Sequence, residues 1–438
     1  MEVEIISRKL VRPSSSTRNS SRKIPISPYD QIAGHFYGGL ILYYHGELGG
    51  PRRIGEKARK LEESLANVLS LFSLHAGRFL YDELQFDSNG NGVELLLALV
   101  NTNLSQLLHG RRNASDLSLL VPDAVESETS PLLLFQLNLF QCGGMALGIR
   151  ASHRLTDAWT MFMFLRRWAI ACQLGIANAT PPTYDYPQEI LPRNDFVLPE
   201  VKTIPRGKDG VVVTTELLLF KKDAIARLKA TALAGRESPT KRCSKVNAVF
   251  ALIWKALIRA DQTRNGGILR PSMMINAVNL RGKTKFPISE NACGNLFLLA
   301  TARFQPNDGE RDVHYGHLVS LIQSSIADTI TSCQNAKDGD DLFKIVLESR
   351  TKAAEEYEKP CTYVCTSWSG FQFYDVDFGW GSPVWMSRFH IPVEAIGLVG
   401  TKDRDGVEAW LNLDEKTMTL VRNDQQIMTL TTFTDSKL

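Results

Sequence analysis

Two short stretches carry side chains able to do chemistry. In FQLNLFQCGGMALGIRASHRLTD, residues 135–157, an imidazole and a carboxylate stand in the spacing H-x-x-x-D at His153 and Asp157, after two apolar runs. With an ordinary pKa near 6.5, a histidine can take a proton from an alcohol or amine at cellular pH. The spacing alone decides little, because such a pair is expected by chance about 0.4 times in a chain with eight histidines. The second stretch, Asp377-Phe378-Gly379-Trp380-Gly381, is far rarer, on the order of one chain in 10,000 at average composition.

Each stretch has a plain structural reading beside the chemical one. Asp157 can orient the imidazole as the third group of a hydrolase triad does, but it also opens the periodic segment AWTMFMFLRRW, where a carboxylate caps helix amides. Position favours the cap. Asp377-Phe378-Gly379 has the order of the kinase metal-binding motif. No H-R-D loop, V-A-I-K strand or G-x-G-x-x-G loop accompanies it, and it lies too near the C-terminus to leave a kinase's large lobe behind it. Gly379-Trp380-Gly381 reads as a tight turn presenting an indole, whose N–H donates and cannot accept.

Other groupings are weaker. His314 and His317 lie three apart in an expected helix, and Cys361 and Cys365 four apart. No acidic or thiol cluster completes a metal site around either pair, so no metal is expected. The absence of a Gly-rich phosphate loop and of G-x-S-x-G weighs against nucleotide hydrolysis and against an α/β-hydrolase. Direct transfer without a covalent enzyme intermediate is favoured.

The elements that position these residues can be read from periodicity. Helical patterns at Glu56 to Phe72 and Asp157 to Cys172 alternate with strand-like runs at Val93 to Val100, Leu132 to Phe140 and Met145 to Ser152. A proline-rich stretch from about Asn178 to Gly210 has little apolar periodicity and marks a crossover. Beyond it come a strand at Val211 to Phe220, helices near Lys222 to Ala234 and Lys245 to Arg259, and a strand at Ser272 to Asn279. The fold class expected is α/β, of the α+β type. The expected domains are residues 1–180 with H-x-x-x-D, a linker at 181–210, and residues 211–438 with D-F-G-W-G.

Composition sets the remaining bounds. A chain of 438 residues exceeds one ordinary core, and 44% apolar with 22% charged residues suits a globular protein. A net charge of +3 gives no field able to hold nucleic acid. Seven scattered cysteines suggest reduced thiols in a cytoplasmic protein. The N-terminal MEVEIISRKLVRP carries two glutamates, which suits neither a signal peptide nor a transit peptide. The uncharged run from Thr129 to Ile149 is long enough to raise a membrane helix, but its period of two and the Gly143-Gly144 break make it strand, turn, strand, so no membrane partner is expected.

With both motifs in this order and separation, the chain resembles the BAHD acyl-CoA-dependent acyltransferases of plant specialised metabolism over nearly its whole length. Further matching segments are Ile26-Ser27-Pro28-Tyr29-Asp30, Ala76-Gly77-Arg78, Phe140-Gln141-Cys142-Gly143-Gly144, Asn279-Leu280-Arg281, Gly294-Asn295, Ser367-Trp368 and Gly406-Val407-Glu408-Ala409-Trp410. Cys142-Gly143-Gly144 and Asn279-Leu280-Arg281 look most like the branch that acetylates alkaloid and terpenoid alcohols. Departures from the family pattern are Ala158 after the motif aspartate, His75 before Ala76-Gly77-Arg78, Asn247 before the A-L-I-W helix and Ser382 after D-F-G-W-G.

The resemblance implies a monomer of two chloramphenicol-acetyltransferase-like domains with a channel between them. By the same resemblance acyl-CoA, with acetyl-CoA the expected form, enters as co-substrate from one face and a small-molecule alcohol from the other, with no bound cofactor. It makes His153 the general base and pairs Asp157 with Arg281 as structural support. Trp380 becomes the expected oxyanion donor and Asn295 the expected orienter of the histidine, while Asp377, Gly379 and Gly381 support the channel wall. Coenzyme A phosphates require basic groups near a mouth. Lys241-Arg242-Cys243-Ser244-Lys245 is the candidate, with Ser244 and Lys245 at the family's positions, although an ordinary solvated turn explains it equally well. The same histidine could serve a lyase-type rearrangement, or the fold could bind a metabolite without catalysis.

Overall fold

The computed structural model describes residues 1–438 apart from 16–21, 47–49, 110–113, 185, 187–189, 193–211, 235–242, 308, 392 and 434–438. Most of the expected linker, together with Lys241 and Arg242, therefore lies outside the described residues. Two mixed sheets dominate. The first has six strands in the order Val3–Val11, Val93–Val100, Leu133–Phe140, Met145–Ser152, Tyr37–Tyr44, Trp385–Ser387. Only Val93–Val100 and Leu133–Phe140 run parallel. The run that raised a membrane helix is an antiparallel hairpin, Leu139 pairing with Met145 across the turn, where Gly143 takes φ +80°. No helix among the described residues is long and apolar enough to cross a membrane.

The last strand of that sheet comes from far along the chain. Trp385–Ser387 pairs with Tyr43, Leu42 and Ile41, so a segment of the second half completes the sheet of the first. The second sheet has seven strands, in the order Phe297–Phe304, Ser272–Asn279, Thr362–Ser367, Ala395–Gly400, Val407–Asp414, Val213–Phe220, Thr432–Phe433.

Helices Gly50–Leu71 and Ala158–Leu174 pack together on the first sheet, burying Leu61, Leu65, Val68, Leu69 and Phe72 against Met161, Phe164, Leu165 and Trp168. The helix Lys245–Arg264 is apolar almost all round and is buried from Ala248 to Ile258, as a helix enclosed by other elements must be. Between the sheets, Leu217, Val399 and Trp410 of the second join the core of the first. Both sheets thus contribute to one interface. None of the seven cysteines forms a disulfide among the described residues, and six are buried.

Candidate active site

His153 follows the strand Met145–Ser152 directly. Its amide N–H donates to the Phe36 carbonyl at 2.8 Å, extending by one residue the pairing of Tyr37 with Ser152. The imidazole lies between the Phe36 ring, stacked at 4.6 Å, and the Phe297 ring of the second sheet, edge-on at 5.9 Å. The residue is half-buried; Nδ1 is sealed off without a hydrogen bond, which leaves the opposite ring edge for a substrate. Burial pushes the imidazole pKa down to about 4, with Asp157 opposing the shift and Arg350 adding to it. The ring is therefore neutral, the form that accepts a proton, throughout the physiological range.

Asp157 points elsewhere. Its Oδ1 accepts the Thr160 N–H at 2.8 Å and so caps the helix Ala158–Leu174, while Oδ2 accepts from Arg281 Nη1 at 2.7 Å. Arg281 spends its remaining donors on the Ala292 and Gly294 carbonyls and on Asn279 Oδ1. Both side chains are nearly fully buried, so the pair ties the helix to the second sheet, and its loss would strand a buried charge.

Beneath His153 the matching segments at 27–30 and 294–295 meet Arg350, which no motif announced. Asn295 Nδ2 donates to the His153 carbonyl at 2.6 Å and to Asp30 Oδ1 at 2.8 Å, so it holds the backbone of the histidine rather than its ring. Asp30 also accepts the Asn295 N–H and the Ser27 hydroxyl. Burial, the largest influence, raises its carboxyl to about 6 despite these bonds. Arg350 donates to the carbonyls of Tyr29, Asn295 and Phe297. Gly294, at φ +114°, approaches Asp30 and the Tyr186 hydroxyl so closely that a Cβ there would lie 1.9 Å from that oxygen.

Signals for this cluster exist in the chain. Ser27-Pro28-Tyr29-Asp30 has the form of a helix start, and Ser27 does cap the short helix Pro28–Gln31. Arg350 stands in phase with Phe343, Val346, Leu347, Ala353 and Tyr357 on the buried face of helix Gly339–Tyr357.

The D-F-G-W-G segment is placed at the other end of the helix. Asp377 Oδ1 accepts the N–H groups of Gly379, Trp380 and Gly381, and the two glycines take φ +101° and +96° to close this loop. The Asp377 and Phe378 carbonyls accept from Gln173 and Cys172 at the helix C-terminus. A helix of 17 residues spans roughly 25 Å at 1.5 Å per residue. Trp380, stacked on Phe378 and edge-on to Tyr44, is therefore too far from His153 to serve as the oxyanion donor expected of it. Ser367-Trp368 is nearer: the turn from Trp368 brings Phe371 onto Trp159 and Phe162, in the first two turns of that helix.

Ser244 caps the helix Lys245–Arg264 by accepting the Asn247 N–H, and Lys245 Nζ donates to the Arg404 carbonyl at 2.9 Å. Both stand beside the loop 401–406, away from the imidazole. Among the described residues no group of His, Cys, Asp and Glu could hold a metal, and His314 and His317 sit at the start of helix Tyr315–Asn335 without partners of that kind.

Two mixed sheets sharing one interface, with a neutral histidine at a strand end inside it, define a two-domain transferase of the chloramphenicol-acetyltransferase type. The whole-chain match to the transferase family model, residues 1–428, shows that the chain belongs to the BAHD acyltransferases. It is similar to the acetyl-CoA-benzylalcohol acetyltransferase of Clarkia breweri, 30% identical over 98% of this chain and 99% of that one. A malonyltransferase of Salvia splendens acting on a pelargonidin glucoside is 32% identical, covering 98% and 99% of the two chains. The crystal structure of vinorine synthase superposes with a TM-score of 0.81 at 27% identity, covering 99% of this chain and all of that one. The protein is thus an acyltransferase.

Proposed function

We propose that this enzyme moves a short acyl group from its coenzyme A thioester to a hydroxyl of an alkaloid or similar plant metabolite, by direct attack. The imidazole of His153 takes the hydroxyl proton as the acceptor oxygen bonds to the thioester carbonyl carbon. The tetrahedral adduct then collapses with cleavage of the C–S bond, and the proton passes to the departing sulfur to give free CoA and an ester. The observation that carries this reading is the neutral His153, half-buried between the sheets and held by its backbone through Phe36 and Asn295. The turning of Asp157 toward Arg281 supports a lone base over a charge-relay triad. Acetyl is the acyl group favoured by the resemblance to alcohol-acetylating relatives. Ser244 and Lys245 remain the proposed contacts for coenzyme A near the loop 401–406.

The test is release of free CoA thiol from acetyl-, malonyl-, benzoyl- and coumaroyl-CoA, each with a pooled plant alcohol extract, for the native protein and His153→Ala. Release that needs both extract and His153 supports the reading. Release that is unchanged in His153→Ala removes His153 as the base, and no release from any thioester favours a lyase or binding role.

A further inference from the structure

Directly after the strand Trp385–Ser387 the chain leaves the first sheet, and Arg388 reaches across to the second. Its guanidinium lies over the Trp368 ring at 4.7 Å and against the backbone of Gly397, where a Cβ would come 2.3 Å from Nη1. Glycine at 397 is therefore what leaves room for the cation. Nη1 is buried and makes no hydrogen bond, and among the described residues Arg388 forms no ion pair. Burial alone pushes its pKa down to about 10, with no carboxylate acting against the shift. Glu408 is engaged from another side, by Trp385 Nε1 at 3.0 and 3.1 Å.

A second orphan donor lies opposite Gly397. Trp410 is paired with Gly397 across the ladder, and residues directly opposite present their side chains to one face. The Trp410 Nε1 is likewise buried without a partner. A guanidinium and an indole offer donors only. Two buried donors without partners, brought to one face of the sheet through Gly397 and one of them charged, are costly to bury alone and suit an acceptor bearing negative charge. The ladder places this site two residues further along than Glu408 from the loop 401–406, inside the interface and beyond the region proposed for the coenzyme A phosphates.

We infer that Arg388, with Trp410, forms a carboxylate-binding subsite between the sheets, which selects a substrate carrying a carboxylate. This rests on the acyl-transfer reading. The carboxylate has two sources, a dicarboxylic acyl group such as malonyl on the donor or an acid group on the acceptor alcohol. A planar guanidinium suits either through paired N–H···O bonds.

The test compares matched pairs with the full-length enzyme: malonyl-CoA against acetyl-CoA on benzyl alcohol, and 4-(hydroxymethyl)benzoate against benzyl alcohol with acetyl-CoA. For one pair the wild-type kcat/KM is expected to favour the charged member. Arg388→Gln is expected to cut that member ten-fold or more while leaving the neutral substrates within about three-fold, with Arg388→Lys intermediate. The pair that responds identifies the source. Equal loss on every substrate, or a KM increase shared by both thioesters, overturns the subsite by making Arg388 structural or a coenzyme A contact. If Arg388→Gln does not fold, calorimetric binding to the wild type decides: equal affinity for charged and neutral members of both pairs overturns the inference. The binding arm also separates the two readings, because a protein that binds the charged member selectively without releasing CoA fails as an acyltransferase while keeping the subsite.

Discussion

The helix Ala158–Leu174 has two ends, and each carries one of the chain's two conspicuous motifs. At its N-terminus Asp157 caps the helix, pairs with buried Arg281 and follows His153 by four residues. At its C-terminus Gln173 and Cys172 donate to the carbonyls of Asp377 and Phe378 respectively, and Phe378, edge-on to Trp168 and stacked on Trp380, closes the end. One end holds charges and a half-buried imidazole at the boundary of two sheets. The other holds a hydrogen-bonded turn among aromatic rings. The commoner string thus lies among charges at the sheet boundary, and the far rarer one closes a packed turn.

Substitutions at the two ends should separate these roles. The largest effect is expected for His153→Ala, which should lower kcat by about 100- to 10,000-fold with a thermal midpoint close to wild type. A comparable kcat from any D-F-G-W-G variant in the folded state would erase the contrast. Next comes the ion pair: Asp157→Ala leaves Arg281 buried and uncompensated, and urea unfolding should show a loss of about 3 to 5 kcal/mol. Asp377→Ala removes the acceptor of three amides and should cost about 1 to 3 kcal/mol in the same assay, with kcat nearly kept below the melting range.

Acidification gives a smaller and more specific signal. The imidazoles of His153 and His75 are held at about 4 and about 3 by burial, below their unfolded value near 6.5. Their contribution is complete above 6.5 and is lost as pH falls toward the folded values, because the unfolded chain takes up protons that the native one refuses. Asp30 runs the other way. With its carboxyl raised to about 6, the native state binds the proton first and gains stability as pH falls from 6 toward the unfolded value near 3.8. Between pH 7 and 5, unfolding free energy should therefore fall, and Asp30→Asn should steepen that fall by about 1 kcal/mol. A pH dependence unchanged by the substitution would contradict a raised Asp30. The acid limb of kcat/KM should likewise lie below pH 5. The smallest effect is expected for Trp380→Phe, within about three-fold in kcat, where loss of an oxyanion donor would cost 100-fold or more.

Much of this architecture was legible in the chain. The strand expected at Ser272 to Asn279 is found at those residues, and the hairpin and the helix opened by Asp157 appear within two residues of their expected limits, because apolar period and capping chemistry are local properties. The contacts that make the site are not local. Asn295 reaches the His153 carbonyl across 142 positions, and Arg350 meets the Tyr29 carbonyl across 321. A motif states which residues matter but not which neighbour they face, and so Trp380 was assigned to an end of the molecule where it does not lie. Arg388 carried no motif at all; its character comes from lacking a partner, a property that only packing reveals.

The late strand Trp385–Ser387 has a consequence for biosynthesis. Until the ribosome has released residue 387, the apolar strand Tyr37–Tyr44 stays the open border of its sheet, with unpaired amides and carbonyls facing outward. At roughly 5 to 20 residues per second, that leaves a nascent chain some tens of seconds in which two neighbours on one messenger could join edge to edge. A chain cut short before residue 385 never escapes that interval, so truncated products should aggregate rather than persist as half-sized folded proteins.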